Sequence, residues 1–368
     1  MDYRPLRIGP YIVEVPLLSG GMGVKISGKE LVFAVLQEGC LGTLTSMGLG
    51  ELAPGISWSR FITTSREALQ RDMRALRAMT NKPFAVNVMG ALTNADDLVT
   101  TAVQEGAKII VYGAGIPLTL PKVVENPDVA LVPIISSARL AKMICNYWKR
   151  YGRTPDAFII EGPLAGGHLG FLLEQLADLD NFSLEKILQE TLLIIQPYEQ
   201  ECGRKIPLIT AGGIYTGEDI ARMLSLGASA VQMGTRFVAT VECPVSMEFK
   251  QAYINARAED LRIVKTPVGM PGRVIANAFY KEYAQRQASG NVPKIHCPFK
   301  CIHSCERDEA GFCIAERLDY SFKGDVENGL IFAGANVHRI DRIMTVHELV
   351  TELMDGVRAS PLTLPSTL

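Results

Sequence analysis

From residue 10 to about 235, short apolar runs alternate with amphipathic stretches. The runs are Ile12–Leu18, Gly42–Thr45, Phe84–Met89, Lys108–Tyr112, Ala130–Ile135, Ala157–Glu161, Pro207–Ala211 and Ala230–Gly234. Each is rich in Val, Ile, Leu or Phe without clean polar alternation, which is how a strand covered on both faces reads. Helix signals fill the gaps. Ser27 precedes Lys29-Glu30-Leu31 and an apolar run closed by Gly39, and Ser65 with Glu67 and Ala68 opens an amphipathic stretch to Met79. Thr93, Asn94 and two aspartates precede Leu98–Gln104, which stops at Gly106, and Thr216-Gly217-Glu218-Asp219 opens a segment that ends at Gly227. Cap residue, acidic first turn and glycine stop point the same way. Eight strands alternating with helices imply parallel pairing through right-handed crossovers, and eight is the number that closes a barrel. The pattern predicts an α/β fold, a (β/α)8 TIM barrel, with an open doubly wound sheet as the runner-up.

After Phe237 the rhythm breaks. Residues 240–292 pattern as irregular helix interrupted by Pro267 and Pro271, a Cys-rich segment occupies 296–313, and amphipathic patterning resumes over 317–357, notably Val346–Met354. The expected organisation is a barrel over 1–239, a lid domain added after strand 8 over 240–320, and C-terminal helices over 321–368 that return to the barrel, with 360–368 loose. Charge changes the picture little: 37 Lys+Arg against 39 Asp+Glu, with 48% hydrophobic residues, exclude a disordered chain and give a nucleic acid no basic surface. No run approaches the ~20 apolar residues of a membrane span. Met1–Pro5 lacks a secretory apolar stretch, and eight Cys in this length make no disulfide scaffold. A cytoplasmic protein with a small-molecule substrate and no nucleic-acid or membrane partner is expected, and a homodimer is left open.

The glycines carry more information. Gly20-Gly21-Met22-Gly23 follows strand 1, Gly113-Ala114-Gly115 strand 4, Gly166-Gly167-His168 strand 6 and Gly212-Gly213 strand 7, and Gly234-Thr235 closes strand 8. One such pair is the tight turn that any strand–helix junction needs. Five on the same rim, where barrels gather functional groups, imply that backbone approaches something flat or anionic. Gly212-Gly213-Ile214 before a capped helix, beside Gly234-Thr235, is the corner where barrels bind phosphate through N–H donation and the helix dipole. No G-x-G-x-x-G follows strand 1, so a dinucleotide-type Rossmann site is not supported.

Several blocks together resemble one family. They are 16–23 (PLLSGGMG), 83–89 (PFAVNVM), 161–170 (EGPLAGGHLG), 211–214 (AGGI), 232–237 (QMGTRF) and, in the lid, 266–273 (TPVGMPGR). In order and spacing this is similar to the nitronate monooxygenase (2-nitropropane dioxygenase) family, which includes the flavin-type enoyl-acyl-carrier-protein reductases. The resemblance runs from about residue 10 to 275. It implies an FMN-dependent flavoprotein, with cofactor contacts carried over to Gly21, Met22, Asn87, Glu161, Gly166 and Gly167, phosphate contacts to Gly212, Gly213, Gly234 and Thr235, and Gln232 and Met233 alongside. Two positions depart from the pattern: Leu164 stands where relatives often carry an acidic or amide residue, and Ser19 where many have Gln.

His168 is the candidate catalytic residue. Three of the other histidines, 303, 338 and 347, and His296 lie outside these blocks, whereas His168 follows two glycines at the expected mouth. A structural role, hydrogen bonding backbone, is the plain alternative. An ordinary pKa near ~6.5 lets an imidazole exchange a proton near neutrality. By resemblance the reaction is nitronate monooxygenase chemistry, oxidation of alkyl nitronates with O2. The alternatives are an enoyl-acyl-carrier-protein reductase or a quinone reductase, both taking electrons from NAD(P)H. From other classes come a non-catalytic flavin- or phosphate-binding barrel, and a sugar-phosphate isomerase or synthase. The last should carry more Lys, Asp or Glu at strand ends than Glu161 and His168. Finally, Cys297, Cys301 and Cys305 stand four apart, with Cys313 beyond. On a helix they form one buried stripe; with Cys313 as a fourth sulfur they form an inventory for zinc or an iron–sulfur cluster, although no C-x2-C pair is present.

Overall fold

The computed structural model describes residues 1–50, 52, 57–295, 297 and 299–365. Eight parallel strands, β1 (Leu17–Ser19), β2 (Thr43–Thr45), β3 (Ala85–Met89), β4 (Ile109–Gly113), β5 (Ala130–Ile135), β6 (Phe158–Glu161), β7 (Leu208–Ala211) and β8 (Ala230–Met233), run in the order β1-β8-β7-β6-β5-β4-β3-β2. Leu18 and Leu41 bridge the two ends of that order: Ser19 N donates to Leu41 O and Leu41 N to Leu17 O, each at 3.0 Å. The sheet is therefore a barrel, and the open doubly wound alternative does not hold.

Each apolar run supplies its strand, with one division. Ile12–Leu18 splits, so that Tyr11–Val13 pairs antiparallel with Leu6–Ile8 and only Leu17–Ser19 enters the barrel. Leu6, Ile8 and Val13 pack with Ala85, Ile109, Ala130, Ala157 and Ala230 at the strands' N-terminal ends. The alanines leave room for the hairpin, which plugs that end of the barrel. Buried Asp156 fastens the plugged end, accepting from Leu131 N at 2.9 Å and pairing with Arg153 and Arg204 at 3.3 and 3.0 Å.

The surrounding helices bury one stripe each. Helix Trp58–Met79 turns Phe61, Ala68, Leu69, Met73 and Leu76 inward and begins earlier than the predicted Ser65, because Ser57 Oγ caps it by accepting from Arg60 N at 3.3 Å. Ser65 lies buried within it. Nor does Ser27 cap helix Lys29–Gln37: the cap is Gly28, and Ser27 serves the loop before it. Among the described residues no helix is long and apolar enough to cross a membrane.

The chain leaves the barrel beyond β8 and comes back beside the same point. Met344 N donates to Ala239 O at 3.2 Å and Val241 N to Met344 O at 2.9 Å, pinning the two ends of the excursion together. Helix Val346–Ala359, opened by the Thr345/Glu348 capping box, then packs on helices Gly217–Ser225 and Lys29–Gln37. It occupies the place of the barrel's eighth helix, separated from β8 by the whole lid. The lid is not the irregular helix that its prolines suggest. Helices Met247–Asn255 and Ala278–Ser289 flank an antiparallel pair, β9 (Leu261–Lys265) and β10 (Pro271–Ile275), which takes Gly167–His168 as a third strand. Pro271 opens β10, a strand position that tolerates the missing N–H. The cysteine stripe is overturned too: no helix runs through 299–305, and helices Arg307–Ala310 and Ile314–Lys323 come only after it. His296 and Pro298 lie outside the described residues.

Candidate active site

A cavity of about 500 Å³ opens at the C-terminal ends of the strands, under the lid. Gly21, Met22, Asn87, Glu161, Gly166, Gly167, Gly212, Gly213, Gln232, Met233, Gly234 and Thr235 all line it, and so does His168. Leu164 does as well, whereas Ser19 does not. Ser19 is buried in the barrel seam, where its Oγ accepts from Thr43 N at 3.2 Å.

Strand register sets the height of the polar groups. Glu161 stands opposite Ala211 on β7, and Ala211 stands opposite Gln232 on β8, so Glu161 and Gln232 flank β7 at one level. Across the barrel, Asn87 in the middle of β3 stands opposite Thr45, the last residue of β2. Gln232 Oε1 and His168 Nε2 are buried without a hydrogen-bond partner. Thr43, Ser46 and Thr210 also leave buried hydroxyls unpaired, but away from the cavity lining. Each orphaned group costs about 1–3 kcal/mol, which a ligand completing its hydrogen bond would offset.

Burial decides the charge state of the two titratable groups. It raises the Glu161 carboxyl to about 8, so this acid is protonated at neutral pH. It lowers the His168 imidazole to about 4, well below the ordinary value expected from sequence, so the ring is uncharged. His168 touches the cavity but is otherwise enclosed by protein. Its ring lies edge-on to Phe332, centroids 5.0 Å apart at 64°, and its backbone pairs with Gly272 of β10. Arg273, next along that strand, is a buried cation whose Nη1 donates to Ala165 O at 2.5 Å.

Some glycines here are explained by protein, not by a ligand. A Cβ on Gly21 would lie 2.2 Å from Asn87 Cβ, and one on Gly166 would lie 2.5 Å from Ala333 C and Gly334 N. Gly212 and Gly213 adopt φ of +95° and +83°, a region that favours glycine. The Gly21–Met22 turn is held by Ser27, whose Oγ donates to Gly20 O and accepts from Met22 N at 2.7 and 2.9 Å. The helix after Gly213 contributes less than its position suggests. Asp219 accepts from Tyr215 N and Thr216 N at 3.0 and 2.9 Å, so its carboxylate already occupies that helix start.

A segment that the sequence reading missed completes the corner. Residues 332–336 strap the glycine loops together: Gly334 N donates to Thr235 Oγ1 at 3.0 Å, Asn336 Nδ2 to Gly213 O at 2.6 Å, and Ala335 N to Leu164 O at 3.1 Å. Tyr253 Oη of the lid donates to Phe332 O at 2.5 Å and so anchors the strap. The Thr235 hydroxyl, accepting from Gly334, keeps its own proton for a ligand. The small-residue run Ala333-Gly334-Ala335-Asn336 was the available signal.

A model of the nitronate monooxygenase family matches residues 5–103 and 92–356. The chain is 29% identical over 265 residues to the (3aS,4S,5R,7aS)-5-hydroxy-7a-methyl-1-oxo-octahydro-1H-indene-4-carboxyl-CoA dehydrogenase of Mycobacterium tuberculosis, a match covering 72% of this chain and 63% of that relative. With a Staphylococcus aureus protein named "Probable nitronate monooxygenase" it shares 24% identity over 302 residues, 76% of this chain and 80% of the other. The solved structure of FabK from Thermotoga maritima superposes with a TM-score of 0.73 at 27% identity, covering 94% of this chain and 93% of that one.

Proposed function

The chain belongs to the nitronate monooxygenase family, and from that membership we propose that it is an FMN-dependent oxidoreductase that oxidises alkyl nitronates with O2. The observation that carries the reading is the pair of orphaned polar atoms, Gln232 Oε1 and His168 Nε2, on two residues that line one cavity with the protonated Glu161. A flat heterocycle with alternating donors and acceptors along its edge answers such a set. Gln232 and Glu161 would hold that edge with Asn87, Gly21 and Met22, while Gly212, Gly213, Gly234 and the Thr235 hydroxyl would hold the phosphate. FMN supplies the two-electron chemistry.

The protein's share is access and protonation state. An imidazole lowered to about 4 is a poor base toward the α-carbon of a neutral nitroalkane. It suits a substrate that arrives already deprotonated, whose oxygens it can face without a change of charge. Neutral Glu161 likewise places no negative charge against an anion. Buried Arg273, fixed on Ala165 O, adds positive potential behind the Gly166–Gly167 turn.

A second reading is favoured by the rest of the cavity wall. Leu52, Phe61, Ile116, Leu140, Val268 and Met270 line far more apolar surface than a small nitronate covers. Such a wall suits the acyl part of an enoyl thioester reduced at the expense of NAD(P)H, and one relative's name contains a carboxyl-CoA.

Anaerobic mixing separates the two. Bleaching of the flavin by propyl-nitronate and not by NADH is expected; bleaching by NADH alone would replace the first reading with the second. A colourless preparation that takes up no FMN would remove both. His168→Ala is expected to keep the flavin and lose most turnover, and full turnover in that variant would reduce His168 to a packing residue.

A further inference from the structure

An imidazole that meets substrate through one nitrogen is ordinarily oriented by a hydrogen bond on the other. Among the described residues no hydrogen bond fixes Nε2 of His168, which is buried. What meets the ring is Phe332, edge-on, with centroids 5.0 Å apart at 64°. Both residues line the cavity, and Phe332 has no part in the chemistry above.

Register on the lid sheet explains how the two rings meet. Along one edge of β10, Gly272 stands opposite His168, Arg273 opposite Gly167 and Val274 opposite Phe332. Gly272 and Val274 are two positions apart, so the side chains opposite them fall on one face of the sheet. Gly272 leaves that face bare, and the Phe332 ring takes the space: a Cβ on Gly272 would lie 2.8 Å from Phe332 Cε1. The backbone beneath the ring is pinned on both sides. Ile275 N donates to Ile331 O at 2.9 Å and Ala333 N to Arg273 O at 3.2 Å, while Phe332 O accepts from Tyr253 Oη. A ring anchored in this way limits the rotamers open to the imidazole beside it.

We propose that Phe332 is a positioning residue, whose ring edge holds the His168 imidazole in one orientation at the cavity wall and closes water off from it. The proposal rests on the reading that His168 acts on the substrate. The same packing accounts for the ring's charge. The charged or titratable groups on the segments around it are Glu161 at the end of β6, Arg273 on β10 and Tyr253 behind the strap. None of them sets the imidazole's protonation, which burial alone lowers to about 4.

The test compares flavin-loaded wild type with Phe332→Ala, with flavin content and circular dichroism confirming that each variant is folded. NMR of isotope-labelled histidine, with the His168 signal assigned by its loss in His168→Ala, follows the ring through a pH titration. Its midpoint should lie near 4 in wild type and move up toward 6.5 in Phe332→Ala. With propyl-nitronate, kcat should fall about 10–100-fold while KM changes far less. Because Phe332 acts through His168, adding Phe332→Ala to His168→Ala should lower turnover no further. Phe332→Leu keeps the apolar bulk and loses the ring; it should show the same changes at smaller size, and it serves where Phe332→Ala does not fold. Unchanged kcat in the Phe332 variants overturns the proposal. So does a fall in kcat with the His168 midpoint still near 4, or an equal further fall in the His168→Ala background. Full turnover in His168→Ala alone is a different result: it removes the reading of His168, and this proposal with it.

Discussion

Two side chains facing the cavity carry opposite pH signatures. Glu161 titrates near 8 when folded and near its ordinary 4.5 when unfolded, so it costs stability progressively as pH rises from 4.5 to about 8. His168 titrates near 4 when folded and near 6.5 when unfolded, so its cost grows as pH falls from 6.5 to about 4. Between 4.5 and 6.5 the two slopes cancel. From 6.5 to 8 Glu161 acts alone, and at about 1.4 kcal/mol per unit the ligand-free protein should lose about 2 kcal/mol. Urea denaturation across that range should show the loss in wild type and its absence in Glu161→Gln; parallel profiles would mean that the carboxyl is not buried as described. Sequence reading located both residues by resemblance and by their place after a strand. It could not give their charge states, because these follow from burial, and the lid strand and Phe332 that enclose His168 come from segments far along the chain.

At the level of elements, the barrel strands were legible and the lid strands were not. A strand covered on both faces writes its own apolar run, whereas β9 is half-exposed with Arg262 and Lys265 among its five residues, and β10, though mostly buried, begins Pro271-Gly272-Arg273. The strap is harder still, since its bonds join Thr235 to Gly334 and Gly213 to Asn336 across 99 and 123 residues. Its close fit makes it testable. Gly166→Ala places a methyl 2.5 Å from backbone on the strap, with no flexible side chain there to yield, and should cost about 1–3 kcal/mol together with weaker flavin retention. Asn336→Ala removes one bond to Gly213 O and should weaken FMN binding with a smaller change in melting temperature. An unaltered flavin dissociation constant in both variants would detach the strap from the site.

On the scale of the whole molecule, stability and chemistry sit at opposite ends of the barrel. The hairpin plug is the part to disturb without touching the site. Ile8→Ala, at a fully buried position, should cost about 2–4 kcal/mol in urea denaturation while leaving flavin content per folded chain unchanged. Loss of flavin in step with stability would show that the two ends are coupled. The eighth-helix position was not legible in the sequence either. Val346–Met354 reads as amphipathic, but nothing local says which gap it fills; the pairing of Gly217 with Gly356, where a Cβ on Gly217 would sit 2.6 Å from Gly356 Cα, is a long-range fit.

That displaced eighth helix has a consequence for synthesis on the ribosome. When Met233 has been made, 112 further residues separate it from Val346, and at roughly 5–20 residues per second the nascent barrel waits about 6–22 seconds with one flank uncovered. Helices Lys29–Gln37 and Gly217–Ser225 expose the groove between them throughout that interval. Chaperone capture during translation should therefore concentrate on chains arrested between β8 and Val346, and should fall away once the last helix has cleared the exit tunnel.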